Sequence, residues 1–268
     1  MNIIRTNVAL MHEIDKISEV AGYLWEKGWA ERNGGNISVN VTECITNEIK
    51  SLPSLVPAIP LPLQFDYLRG NYFYVTGTGK RMRYVAKAPF EHGSIIRIND
   101  EGNAYGIVAE NPVMPTSELP SHLSMHNYMR EIGKGIQVVL HTHPTDLIAL
   151  SHSKKFLEEG AMARILWSMI PESRIVVPRG IGIIPYEIPG TLELAAATIR
   201  QLDKHDVVLW EKHGVLCVGD DIVETFDAID TLSKSAQIYL TARQAGFDPQ
   251  GMTDEQLDAL VPVFNLPV

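Results

Sequence analysis

Residues 138–144 read Val-Val-Leu-His-Thr-His-Pro, an apolar run that ends in two histidines one residue apart. The run predicts a strand, and His141 and His143 then point to the same face, because side chains alternate along a strand. Two imidazoles on one face can bind a transition metal such as zinc. The alternative on these residues alone is two partly exposed histidines that hydrogen-bond at the end of a strand.

A third histidine lies within residues 206–220, where two apolar segments meet at a Lys-His-Gly turn. If the strand that begins there runs beside the first one, His213 joins the pair. Three protein nitrogens and an open position are typical of catalytic zinc, whereas structural zinc usually has four ligands, often thiolates. The two cysteines, Cys44 and Cys217, are far apart in the chain, which excludes a zinc–thiolate knuckle.

The composition is that of an ordinary globular protein of 268 residues, of which 45% are apolar and 21% are charged. A net charge of −9 argues against nonspecific nucleic-acid binding, which needs a basic face. The first residues lack the apolar core of a signal peptide, and no apolar run reaches the ~20 residues of a membrane span. We therefore expect a cytoplasmic protein that binds neither nucleic acid nor a membrane.

The hydrophobic pattern predicts eight or nine strands, some joined by hairpin-like turns and others by helices. Strict β–α alternation is absent, which argues against a TIM barrel or a doubly wound sheet. The predicted fold class is α/β, a single domain over residues 1–268 with a central, mostly antiparallel β-sheet flanked by helices on both sides. The predicted strands include residues 37–41, 72–76, 94–98, 104–108, 174–177 and 181–184, and the predicted helices include residues 12–29, 116–130, 190–205 and 223–244.

Two glycine-bearing loops are candidates for binding an anion through backbone N–H groups and polar side chains. Residues 77–80 read Gly-Thr-Gly-Lys and follow a predicted strand, and residues 33–36 read Asn-Gly-Gly-Asn and precede one. The first loop is not a Walker A sequence, so it does not imply ATP chemistry. Each loop also has an ordinary alternative, a simple turn or a helix-to-strand connection.

Two carboxylates complete the set of candidates. Glu118 lies between two prolines where a helix begins, with Thr116 or Ser117 as the expected N-cap. Near a metal, such a carboxylate can be a ligand or a general base, but a glutamate in a first helical turn is also favoured by the helix dipole alone. Glu172 follows an Ile-Pro pair and by itself indicates only a solvated charge.

Together these segments resemble the class II aldolase/adducin-head family over most of the chain. The resemblance is carried by residues 28–36 (GWAERNGGN), 75–80 (VTGTGK), 115–120 (PTSELP), 141–143 (HTH), 212–214 (KHG) and, further along, 224–226 (ETF). The first and third segments lean toward the branch that acts on rhamnulose phosphate. Members of the family assemble as C4 tetramers, so the resemblance implies a homotetramer.

The resemblance implies zinc-dependent aldol cleavage of L-rhamnulose 1-phosphate to dihydroxyacetone phosphate and L-lactaldehyde. It implies one Zn²⁺ per subunit, bound by His141, His143 and His213, which stabilises the enediolate as a Lewis acid. Glu118 would exchange protons with the enediolate carbon, and Glu172 would reach a neighbouring subunit's site and handle the proton of the aldehyde oxygen. Neutral donors would bind the phosphate, which reconciles an anionic substrate with an acidic protein: Asn33, Gly35, Asn36, Thr78, Gly79 and Ser117.

Other functions remain open on the sequence. A related aldolase of the fuculose-phosphate type, a 4-epimerase or a dehydratase would share the metal and phosphate sites and differ in a few pocket residues. A structural head domain like that of adducin would keep the fold without the metal ligands, which the three histidines and Glu118 argue against. Thr78 stands where the family leads us to expect serine, a change that keeps the hydroxyl group.

Overall fold

The structure is a computed structural model that describes residues 3–108 and 110–267, so both ends of the predicted domain and residue 109 lie outside the described residues. Within this part of the chain, nine strands form one sheet. The strands are β1 (Asn36–Asn40), β2 (Ile59–Pro60), β3 (Tyr72–Thr76), β4 (Gly93–Ile98), β5 (Ala104–Ile107), β6 (Val138–Thr142), β7 (Ile181–Ile184), β8 (Val207–Trp210) and β9 (Gly214–Gly219). Their order across the sheet is β2-β5-β4-β3-β1-β6-β9-β8-β7, and β7 and β8 pair in parallel while the other neighbours are antiparallel.

Helices cover both faces of this sheet. They are α1 (Ile3–Thr6), α2 (Val8–Glu26), α3 (Asn47–Lys50), α4 (Met82–Val85), α5 (Pro89–His92), α6 (Leu119–Glu131), α7 (Thr145–Ser151), α8 (Ala161–Met169), α9 (Pro171–Val176), α10 (Leu192–Leu202), α11 (Ile222–Gln244), α12 (Asp254–Asp258) and α13 (Leu260–Phe264). Helices α6 and α10 pack on one face, and α2, α8 and α11 pack on the other. The predicted fold class is therefore confirmed. Among these helices, none combines the length and the apolar character that crossing a bilayer requires.

Strand β6 lies in the middle of the sheet and is buried on both faces. Val138 and Leu140 join the core shared with α2 and α11, whereas Val139 packs in the core beneath α6 and α10. This alternation follows from the pleat of a strand, and it directs His141 to the α6 side at the end of β6. Burial of each of these apolar side chains contributes about 1.5–3 kcal/mol, which fixes the register of the strand.

The turn after α2 anchors the end of β6. Asn7 caps the start of α2 by accepting a hydrogen bond from the Leu10 N–H. Gly28, with φ +73°, lies in the left-handed region after the end of α2 and turns the chain away from the helix. The carbonyl of Trp29 then accepts hydrogen bonds from the Thr142 hydroxyl (2.8 Å) and from the His143 N–H (2.9 Å). The backbone that carries the histidine pair is thus held from the α2 side.

The strand predicted over residues 174–177 is wrong, because these residues belong mostly to α9. Pro171 occupies the start of this helix, where its missing N–H is not needed and its fixed φ suits a helix. The buried hydroxyl of Ser173 donates to the Leu166 carbonyl at 2.8 Å and ties the turn to α8. The β-branched residues favoured a strand by propensity, and these tertiary contacts override that preference.

The expected N-cap of α6 is also wrong. Helix α6 begins at Leu119, and Glu118 rather than Thr116 or Ser117 takes the N-cap position. Thr116 is tied to the end of β3, since its N–H donates to the Thr76 carbonyl at 2.8 Å, and its hydroxyl accepts from the Glu118 N–H. In the described structure the Glu118 side chain makes no capping hydrogen bond, so the carboxylate is available for other contacts.

Helix α6 buries two histidines against β1. His122 and His126 are each 1% exposed, and both lie within hydrogen-bond distance of the Ser38 hydroxyl. Burial lowers the pKa of each imidazole from 6.5 to about 3. Both rings are therefore neutral in the folded protein over the physiological pH range.

We predict that this histidine pair makes the fold sensitive to acid. Between about pH 3 and pH 6.5 the unfolded chain binds protons on His122 and His126 that the folded chain does not bind, so stability falls as the pH falls. The contribution of each histidine is complete above pH 6.5 and declines below it by about 1.4 kcal/mol per pH unit. Urea unfolding at several pH values gives the free energy of unfolding as a function of pH. Below pH 6.5 the slope of this plot should be smaller in His126→Phe than in the unmodified protein, by about 1.4 kcal/mol per pH unit, which corresponds to one proton. Equal slopes would contradict the assignment.

Candidate active site

Three imidazoles converge at the end of β6. The ring centroids of His141 and His143 are 5.0 Å apart, those of His141 and His213 are 4.9 Å apart, and those of His143 and His213 are 5.5 Å apart. One nitrogen from each ring lies within 4.8 Å of the other two. The predicted convergence of the three histidines is therefore present in the fold.

The third histidine arrives through strand pairing. Strand β9 runs antiparallel to β6 with Val215 opposite Thr142, so the turn before β9 lies beside the end of β6. Lys212 adopts a left-handed conformation with φ +59° in this turn, and the His213 N–H donates to the Trp210 carbonyl at 3.0 Å. This pairing confirms the prediction that the strand after His213 runs beside the first one.

The hydrogen bonds of the rings fix where their lone pairs point. The Nδ1 of His141 lies 3.0 Å from the Val215 carbonyl, and the Nδ1 of His143 lies 2.8 Å from a carboxylate oxygen of Glu31. A carbonyl and a carboxylate only accept hydrogen bonds, so each Nδ1 carries a proton, and the neutral form of each ring has its lone pair on Nε2. The two Nε2 atoms are 3.2 Å apart, a distance at which two lone pairs repel each other unless a cation lies between them.

The donor set fits a divalent metal ion. For tetrahedral zinc with Zn–N distances of 2.0–2.1 Å, two ligand nitrogens are separated by about 3.3 Å, close to the observed His141–His143 spacing. The buried Nδ1 of His213 has no hydrogen-bond partner among the described residues, as expected of a nitrogen that lacks its ligand. Glu31 and the Val215 carbonyl are the kind of outer partners that orient metal-binding histidines.

The electrostatics keep these rings in the form that binds metal. Burial, and secondarily the neighbouring imidazoles, lowers the pKa of His141 well below its usual value. Burial, together with His143, lowers the pKa of His213 to about 4. Metal ligation needs neutral imidazole, so no proton has to be removed from either ring at neutral pH.

Two glycines provide the space for the rings. A β-carbon on Gly34 would lie 2.9 Å from the ring of His143. A β-carbon on Gly214 would lie 2.6 Å from the Thr142 carbonyl oxygen and 2.9 Å from the ring of His141. Real β-carbons do not approach so closely, so the histidine cluster requires a residue without a side chain at both positions.

The imidazoles form one wall of a cavity of about 160 Å³. Its other walls come from the two glycine-bearing loops and from the start of α6, including Glu118. The six residues predicted to bind phosphate all line this cavity: Asn33, Gly35, Asn36, Thr78, Gly79 and Ser117. Amide, hydroxyl and backbone N–H groups thus surround a space that ends at three imidazoles.

Lys80 also lines the cavity, although the sequence argument assigned it no role. It is partly buried, and its charge contributes, after burial, to the lowered pKa of the nearby His92 imidazole. Its position directly after the Gly-Thr-Gly segment could have indicated a role in binding an anion. A positive charge at this wall favours an anionic ligand in a protein that is acidic as a whole.

Glu118 is held by a neighbouring amide. Its Oε2 accepts a hydrogen bond of 2.8 Å from the Nδ2 of Asn36, a residue that is 7% exposed. The Oδ1 of the same amide is hydrogen-bonded to the Nε2 of His122. Asn36 therefore contacts the carboxylate directly, and the second N–H of its amide is left for a ligand in the cavity.

Glu172 lies elsewhere in this chain. It is exposed in the first turn of α9 and is not among the described residues that line the cavity. The structure of one chain therefore does not bring Glu172 together with the other predicted site residues. The predicted contact with a neighbouring subunit stays a prediction.

The arrangement has three chemical capacities. Three imidazole nitrogens can bind a divalent cation and leave a coordination position open toward the cavity. A carboxylate in the same cavity can give or take a proton. The amide, hydroxyl and lysine groups of the loops can bind an anionic group.

Comparisons with known proteins agree with these capacities. The chain is 50% identical over 266 residues to a rhamnulose-1-phosphate aldolase from Bacteroides thetaiotaomicron, and the match covers 99% of each chain. It is 35% identical over 255 residues to a rhamnulose-1-phosphate aldolase from Listeria monocytogenes, which covers 94% of this chain and 93% of the relative.

Solved structures show the same fold. The crystal structure of a sugar-phosphate aldolase from Thermotoga maritima matches with a TM-score of 0.78 and 32% identity, covering 90% of this chain and 99% of that one. An L-fuculose 1-phosphate aldolase from Glaciozyma antarctica matches with a TM-score of 0.62 over 98% of this chain and 84% of that one, and at 15% identity it shows the fold alone. Residues 15–240 match the family described as Class II Aldolase and Adducin N-terminal domain. The chain therefore belongs to the class II aldolase and adducin N-terminal domain family, as a class II aldolase.

Proposed function

We propose that this protein is a zinc-dependent aldolase that cleaves L-rhamnulose 1-phosphate to dihydroxyacetone phosphate and L-lactaldehyde. The observation that carries the proposal is the cluster of His141, His143 and His213, which shares one cavity with Glu118 and the predicted phosphate-binding residues. The two relatives of 50% and 35% identity are both rhamnulose-1-phosphate aldolases, and this supports the choice of substrate.

The three imidazoles would hold the ion. Nitrogen donors at this spacing suit zinc, and the rings of His141 and His143 are already oriented through their Nδ1 atoms. When bound, zinc supplies Lewis acidity at the carbonyl and adjacent hydroxyl oxygens of the sugar. His141, His143 and His213 would fix the position of the ion, and imidazole ligands would not cancel its positive charge.

The remaining residues bind the substrate and move protons. The neutral donors of the two loops, with Lys80, bind the phosphate and set the position of the sugar chain. As the bond between carbons 3 and 4 breaks, the hydroxyl on carbon 4 loses its proton and becomes the aldehyde. Glu118, in its protonated form, gives that proton to carbon 3, which becomes part of dihydroxyacetone phosphate, and exchange with solvent afterwards restores the proton. Glu172 of a neighbouring subunit receives the hydroxyl proton.

The last step requires an oligomer, and we propose a cytoplasmic homotetramer. Large apolar side chains that are exposed in one chain support assembly, among them Ile188 (64% exposed) and Tyr186 (59% exposed) in the loop after β7. The exposed position of Glu172 on α9 is compatible with a contact across a subunit interface.

The purified, zinc-loaded protein should release dihydroxyacetone phosphate from L-rhamnulose 1-phosphate in a coupled assay. Glu118→Gln should retain the metal and lose turnover by about 10²–10⁴-fold, because the amide cannot transfer the proton. Loss of zinc from this variant would make Glu118 a ligand instead. Absence of triose phosphate with the unmodified, loaded protein would refute the proposal, and faster cleavage of L-fuculose 1-phosphate would move the chain to another branch.

Glu31→Gln should weaken zinc binding by about 10–100-fold without unfolding the protein, since Glu31 orients the His143 ring through Nδ1. Competition with a chromophoric chelator measures this affinity, and thermal unfolding of the apoprotein checks the fold. Glu26→Gln is the matched control, because Glu26 is exposed at the end of α2. Equal zinc affinity in the Glu31 variant and in the unmodified protein would contradict the orienting role.

Glu172 can be tested by mixing subunits. Glu172→Gln and His143→Ala should each be nearly inactive alone, whereas assemblies made by co-expressing both variants should recover about one quarter of the activity. Recovery arises because an intact histidine cluster in one subunit meets an intact Glu172 from its neighbour. Two inactive parents without recovery would assign Glu172 to its own chain's site, and full activity of Glu172→Gln would remove it from the mechanism. Glu158→Gln, at another exposed glutamate, is the control.

A further inference from the structure

A continuous chain of buried polar side chains leads from the cavity into the core. The Glu118 carboxylate bonds the Nδ2 of Asn36, and the Oδ1 of Asn36 bonds the Nε2 of His122. The Nδ1 of His122 lies 2.8 Å from the Ser38 hydroxyl, which lies 2.9 Å from the Nε2 of His126. The four residues behind Glu118 are between 0% and 7% exposed.

The residues of this hydrogen-bonded chain come from α6 and its N-cap, where they are spaced as on one face of a helix, and from β1, where they are spaced as on one face of a strand. Glu118, His122 and His126 are four residues apart and form a stripe on one side of α6 and its N-cap. Asn36 and Ser38 are two residues apart and face α6 from β1, between the apolar residues that β1 turns to the opposite core. A run of polar groups in the core of the protein is costly unless each is paired, so this stripe calls for a specific reason.

The hydrogen bonds of the chain have one consistent direction. The Glu118 Oε2 accepts from the Asn36 Nδ2, as an ionised carboxylate or as the unprotonated oxygen of the acid form, so Asn36 accepts from His122 through its carbonyl oxygen. His122 therefore carries its proton on Nε2 and accepts from the Ser38 hydroxyl at Nδ1. Ser38 in turn accepts from the Nε2–H of His126, which leaves the His126 Nδ1 as a lone pair.

The far end of the chain agrees with this direction. The Nδ1 of His126 has no hydrogen-bond partner in residues 3–108 and 110–267. With the opposite direction, His126 would bury an unpaired N–H donor there, and Asn36 would turn its carbonyl oxygen toward the carboxylate. Every donor of the chain thus points toward Glu118.

We infer that His122, Ser38 and His126 are positioning residues that fix the orientation of the Asn36 amide, so that one of its N–H groups holds the Glu118 carboxylate in place for proton transfer. This inference rests on the proposed function of Glu118. Without His122, the Asn36 amide can flip and present its oxygen to the carboxylate, which then repels it. We call this hydrogen-bonded set of Asn36, His122, Ser38 and His126 the relay. It affects the proton transfer by Glu118, and its side-chain hydrogen bonds lead to Glu118 rather than to the metal-binding histidines.

Variants of His122 test the relay. His122→Met, which fills the space without a donor, should lower kcat by about 10–100-fold, the typical cost of a misplaced catalytic group. KM and the zinc content should stay within twofold of the unmodified protein. His122→Gln should recover most of the lost kcat, because its NH₂ group can reach the Asn36 oxygen. Ser38→Ala, which is remote from the cavity, should lower kcat in the same direction.

Leu123→Ala is the matched control, since it removes a fully buried side chain from the same helix outside the relay. It should lower the melting temperature and keep kcat. An unchanged kcat in His122→Met would overturn the inference. A similar fall of kcat in Leu123→Ala would also overturn it, because destabilising α6 would then be enough to lower kcat.

Imidazole ¹⁵N spectra give an independent readout that does not need activity. In the unmodified protein His122 and His126 should both be protonated on Nε2, with the signals assigned by their disappearance in His122→Gln and His126→Phe. A proton on the Nδ1 of His122 would overturn the relay even in an active enzyme. If the unmodified, loaded protein released no triose phosphate while both rings showed the expected tautomers, the proposed function would fail, and only the direction of the hydrogen bonds would stand.

Discussion

The pairing of β6 with β1 on one side and β9 on the other is the interaction on which the site depends. It places Asn36 opposite His141 and brings the turn that carries His213 to the end of the same strand. Segments about seventy or more residues apart in sequence therefore meet at one end of the sheet. Because a one-residue slip reverses the faces of a strand, the apolar cores above and below the sheet also determine which way the imidazoles point.

Local pattern was sufficient for part of this arrangement. The spacing of His141 and His143 and the apolar runs beside His213 predicted the cluster, since both depend only on strand geometry. The helix α9 was missed because the hydroxyl of Ser173 and the preceding proline outweigh the β-branched residues that follow. The polar stripe beside Glu118 was missed because it joins a helical period to a strand period about eighty residues away, and the register between them is a tertiary property.

Burial works in two ways around the cavity. It keeps His141 and His213 in the neutral form, which prepares them for a cation, and it surrounds the amide that holds Glu118 with packed side chains. An acidic chain of net charge −9 can thus offer an anionic substrate a pocket in which most of the lining groups are neutral donors and one is Lys80. The charge of the whole molecule and the charge of its site are separate quantities.

Gly34 and Gly214 carry no chemical group, yet the rings of the cluster occupy the volume that any side chain at these positions would need. Replacement of either glycine by alanine would displace an imidazole and mimic the loss of the imidazole itself. A mutational scan judged by phenotype alone would therefore score two residues without side chains as metal ligands. In this fold the positions that the site requires therefore include residues that provide space as well as residues that provide ligands.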